Sequence, residues 1–66
     1  MAQHSRWTGV CLVRVEAHGE SFLITVRQNP DIGGVSGEVV TPFSEVDPAL
    51  ATIRSFIERF IHASKP

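Results

Sequence analysis

The chain has 66 residues, 42% of them hydrophobic, and six Lys and Arg against seven Asp and Glu give a formal charge of -1. A length like this predicts one domain that buries only about 60% of its unfolded surface, and the near-balance of charge excludes a strong non-specific polyanion binder. The lone Cys11 excludes an intramolecular disulfide, and His4, His18 and His62 lack a metal-ligand spacing, which leaves oligomerisation as the expected staple.

No apolar run approaches the roughly 18 residues of a membrane span, and the start Met-Ala-Gln-His-Ser-Arg-Trp has no hydrophobic signal region. A cytoplasmic location is therefore expected, and a single thiol agrees with it. With no repeat or linker, residues 1–66 read as one unit: a polar, mobile Met1 to Arg6, a β-meander over 7–43, a helix over 45–63 and a fraying end at Ser64 to Pro66.

The first strand is expected from about Trp7 to Ala17. Its odd positions, Trp7, Cys11, Val13, Val15 and Ala17, are apolar apart from Gly9 and form the core side. The even side carries Thr8, Val10, Leu12, Arg14 and Glu16. A second strand follows from about Glu20 to Gln28, with Phe22, Ile24 and Val26 on one side and Leu23, Thr25 and Arg27 on the other. His18-Gly19 between them reads as a two-residue hairpin loop, with Gly19 free to take a positive φ. That loop pairs Val15 with Phe22, Val13 with Ile24 and Cys11 with Val26, all apolar on apolar.

Asn29 to Gly34 is a run of turn formers that interrupts the sheet. A third strand is expected from Val35 or Gly37 to Phe43, with Val35, Val39 and Phe43 inward, Ser36, Glu38 and Val40 outward, and Pro42 limiting pairing near its end. Two registers against the second strand stay open.

From Glu45 to Ala63 the residues Val46, Leu50, Ile53, Phe56, Ile57, Phe60 and Ile61 recur at steps of three and four, one apolar face of a helix. Two starts are available, Ser44 with Asp47 as a capping box or Asp47 as N-cap before Pro48, and the second is preferred. The apolar set, Ala49 included, falls within about 140° of arc, which suggests cover for one face of a three-stranded sheet. The expected fold is α+β, a three-stranded antiparallel β-meander with one C-terminal amphipathic helix packed on one face (βββα).

Little here carries chemistry. Cys11 sits mid-strand on the core side, where a thiol is structural; an active one needs an electropositive, partly exposed setting and a base. Gly33-Gly34-Val35-Ser36-Gly37 lacks both the lysine and the following helix of a phosphate-binding loop. His18 reads as a turn residue, His62 as a helix-end residue, and the carboxylates as solvated charge. No catalytic, cofactor-binding or metal-ligating residue is expected, and the chain does not read as an enzyme.

Interaction is the remaining function. Once the helix covers one sheet face, Val10, Leu12, Arg14, Leu23, Thr25, Arg27 and Val40 share the open one, and aliphatic groups rimmed by charge suit a protein interface. Val10 to Val15, with one charge, forms an edge able to pair with a second copy or with another protein's strand. A non-catalytic module, self-associating as a homodimer through the first-strand edge or open face, is the leading expectation. Nucleic-acid binding through Arg14 and Arg27 is the alternative.

Pro30-Asp31-Ile32-Gly33-Gly34 before the third strand and Asp47-Pro48-Ala49-Leu50 at the helix start give a further comparison. With the strand and helix order, they make roughly Val10 to Ile61 similar in pattern to the partial ribonuclease-H-like fold of HicB-type antitoxins. The resemblance implies an antitoxin-like regulatory role. Gly37 to Glu45 is longer than that pattern, no DNA-binding element follows the helix, and no functional residue is carried over.

Overall fold

A computed structural model describes residues 8–30 and 37–64. They form β1 (Val10–His18), β2 (Ser21–Asn29), β3 (Val39–Phe43) and α1 (Val46–Ser64), with the strands antiparallel in the order β1-β2-β3. This is the βββα meander that the alternation and the helical periodicity predict. The expectations for Met1 to Trp7, for Asp31 to Ser36 and for Lys65 and Pro66 lie outside the described residues.

The hairpin forms where expected but in a register two residues away. Ala17 faces Phe22, Val15 faces Ile24, Val13 faces Val26 and Cys11 faces Gln28. The loop is Gly19-Glu20, with Gly19 at φ 64 and no positive φ at Glu20. That pattern places glycine at the first central position of a type II′ turn, whereas a His18-Gly19 loop would have put it second. Side chains alternate with a period of two, so a shift of two keeps every residue on its predicted face. Ser21 Oγ donates to the His18 carbonyl at 3.0 Å and ties the loop's flanks together.

β3 is shorter than expected, beginning at Val39, and its register is set by Ile24 facing Phe43, Val26 facing Thr41 and Gln28 facing Val39. Pro42 is tolerated because β3 is an edge strand. The helix begins at Val46, one residue before the preferred cap, so Asp47 lies inside the first turn. Pro48 fits there because the first N–H groups of a helix have no intrahelical partner to lose.

α1 packs on β2 and β3 rather than across all three strands. A helix is about 10 Å wide, and strands stand about 4.8 Å apart, so a helix centred over two strands leaves the third bare. The arc that promised cover for the whole face therefore covers part of it. Among the described residues the buried apolar side chains are Val26, Ala49 and Phe56. Val26 is fully buried at the centre of β2. Near the other end of the sheet Gly9 passes directly against Phe56 and Phe60.

Candidate functional site

The residues proposed from sequence as an interface do share the face opposite the helix. Leu12, Arg27 and Val40 form one cross-strand row, and Arg14 stands opposite Thr25. Leu12 and Val40 are exposed, whereas Val10, Leu23 and Thr25 are half-buried. Arg27 stands between Leu12 and Val40 in that row, and these two are the large apolar side chains that this face exposes among the described residues. Both arginines are matched by carboxylates, Arg14 with Glu16 at 3.2 Å and Arg27 with Glu38 at 3.3 Å. A phosphate would have to compete with these partners.

Most of the exposed apolar surface lies on the other side. Ten large apolar side chains among the described residues are about half exposed or more, and eight of them, all but Leu12 and Val40, belong to the sheet's helix-bearing face or to the helix. Val15 is 63% and Phe22 59% exposed, although both point to the predicted core side. Val46, Leu50, Ile57 and Ile61 lie about 100° around the helix from Ala49 and Phe56 at 3.6 residues per turn. Ala49 and Phe56 meet the sheet, and the other four form an uncovered flank.

That flank and the bare strand enclose a groove of about 420 Å³. Val13, Val15, Phe22 and Ile24 form its floor, Val46, Ala49, Leu50 and Ile53 its wall, and Ser44 is its one polar lining residue among those described. Leaving a half-exposed aliphatic or aromatic side chain in water forgoes about 1 kcal/mol of burial. Seven such groups along the groove and flank therefore forgo roughly 7 kcal/mol, as much as the whole net stability of many small domains.

The β1 half of this floor, Val13 and Val15, also lies on a free strand edge. A two-residue hairpin makes His18 and Ser21 a hydrogen-bonded pair, and pairs then alternate along the ladder. By that alternation Cys11, Val13 and Val15 turn their N–H and C=O groups outward, to the free edge of β1. Their side chains point into the groove side of the sheet. The edge and the groove are thus two aspects of the same residues.

No protein family, no curated protein and no solved structure matches the chain.

The remaining candidates are quiet. Burial pushes the Cys11 thiol up from its ordinary value of 9.0, which keeps it protonated and unreactive at neutral pH. Among the described residues no cluster of three or more His, Cys, Asp or Glu could hold a metal ion, and no helix is long and apolar enough to cross a membrane. The helix periodicity does not by itself reveal this groove, because an arc wide enough for a whole sheet face does not say which strands it covers.

Proposed function

We propose that the chain is a non-catalytic interaction module acting as a homodimer, two copies pairing antiparallel along their β1 edges about a twofold axis. The observation that supports this most is the position of Val13 and Val15, whose backbones line the free edge while their side chains floor the open groove. Edge pairing would extend the sheet to six strands and set the two grooves side by side on one surface.

β1 suits such pairing. It is nine residues long, contains neither proline nor glycine, and its one arginine is engaged with Glu16. Natural edges that must stay single are usually short, bulged or guarded by unpaired charge. The seven exposed apolar side chains of groove and flank present roughly 700 Å² at the exposures they show, close to the about 800 Å² that each partner brings to a standard interface.

Sedimentation equilibrium tests the proposal. The wild type should sediment at twice 7.2 kDa. Val13→Pro removes an outward N–H without taking a bond from the β1–β2 ladder and should yield a folded monomer. Val15→Lys, which places a charge in the groove, should shift the equilibrium the same way. A wild type that stays monomeric at millimolar concentration, or a folded Val13→Pro that remains dimeric, overturns the edge-paired dimer.

A further inference from the structure

On the opposite flank of α1, away from the groove, lies a second cavity of about 240 Å³. Its wall is apolar, formed chiefly by Val39, Phe56 and Phe60, with the two rings 6.4 Å apart and inclined by 22°. Two polar side chains also line it, Gln28 and Arg59.

Each of these two is unusual in this molecule. Gln28 is 8% exposed, the one buried polar residue among those described, and its amide makes no side-chain hydrogen bond with another described residue. Buried amides are nearly always satisfied, and an unmet one marks a place where a partner is missing. Four arginines are described: Arg14, Arg27 and Arg54 are each bridged to a glutamate, and Arg59 is bridged to no carboxylate among the described residues. Among the described residues its guanidinium makes one long 3.4 Å bond, to the Ser55 carbonyl one turn back. A buried amide in need of a partner and an unneutralised cation thus line one apolar cavity.

We propose that this cavity binds a small monocarboxylate with an aromatic or aliphatic body. The body lies against Phe56, Phe60 and Val39, the carboxylate pairs with Arg59, and a polar atom of the ligand satisfies Gln28. At about 20–30 Å³ per non-hydrogen atom the space suits some eight to twelve such atoms. Guanidinium and carboxylate match in charge and in planar hydrogen-bonding geometry, which makes the acid the favoured ligand over a neutral molecule of the same shape. The site lies across the helix from the proposed dimer edge and does not depend on it.

Titration of isotope-labelled full-length chain with phenylacetate, 4-hydroxyphenylacetate and octanoate, followed by NMR, tests this. At least one acid should saturate with a Kd of millimolar or tighter, the range expected for a ligand of this size. The Gln28 side-chain amide and the Phe56 and Phe60 rings should shift. 2-Phenylethanol, the neutral counterpart, should bind at least tenfold more weakly. Arg59→Gln should reduce the acid to the level of the alcohol. Gln28→Leu, which leaves the cavity apolar, should weaken the acid while the chain stays folded. Equal affinity for acid and alcohol, an unchanged affinity in Arg59→Gln, or no saturation by any of the acids overturns the proposal.

Discussion

Gly9 lies against Phe60 so closely that a Cβ built on it would stand 2.9 Å from the ring's Cδ2, with Phe56 Cζ at 3.1 Å. The chain entering β1 therefore packs directly on the aromatic end of the helix. Gly9→Ala should destabilise the fold by about 1–2 kcal/mol through overpacking, and Gly9→Val by more. Urea unfolding with an unchanged m-value checks it. A neutral Gly9→Ala would mean that the Phe60 ring swings aside freely.

Gly19 tests the turn. Nothing stands near its missing Cβ, so any penalty for a side chain there comes from its φ of 64 alone. Gly19→Ala should cost about 1–2 kcal/mol, and Gly19→Asn less, because asparagine tolerates the left-handed region better. Substituting Glu20, which has no positive φ, should change stability by less than about 0.5 kcal/mol. If His18-Gly19 were the loop of a type I′ turn instead, His18 would also need a positive φ and would be a second sensitive position.

Among the described residues Val26 is the one large side chain with no exposure at all. Val26→Ala should remove about 2–3 kcal/mol, a large share of what a domain this small holds. Loss of far-UV cooperativity in thermal melts at low concentration is the expected result. Leu12→Ala, on the open face, should cost under about 1 kcal/mol, since more than half of that side chain is in water already.

Cys11 makes stability depend on alkaline pH. Burial raises its thiol above the ordinary 9.0, so the folded chain holds the proton more tightly than the unfolded one. The stability this contributes is complete below 9.0 and is lost as the pH rises from there through the folded value. The melting temperature should fall more steeply above that pH in the wild type than in Cys11→Ala. Alkylation by iodoacetamide at about pH 8 should also lag behind that of a free thiol.

Association should appear in the melting curve as well. A dimer's melting temperature rises with protein concentration, whereas a monomer's does not. A fall of several degrees on hundredfold dilution is expected for the wild type, with none for Val13→Pro.

Much of this architecture can be read from the chain because its elements declare themselves locally. The helix was legible to within a residue at each end, since seven apolar residues at steps of three and four admit few other placements. Which strand residues share a face was also legible, because alternation is a local property. The β1–β2 register was missed by two residues, as a glycine in a two-residue loop can serve at either central position and alternation is blind to an even shift. The lateral position of α1 was not legible at all. Periodicity gives the width of an apolar arc but not which strands lie beneath it, so Val13, Val15 and Phe22 were assigned to a core that does not close over them. Gln28 carried a signal that was available, a polar residue at the inward spacing of Phe22, Ile24 and Val26.

The unbroken order of β1, β2 and β3, each strand beside its neighbour in sequence, has a kinetic consequence. Low separation between contacting residues lets such a chain collapse quickly, within about microseconds to milliseconds. Any refolding phase slower than that, with a rate that scales with protein concentration, therefore reports two chains meeting and not one chain folding.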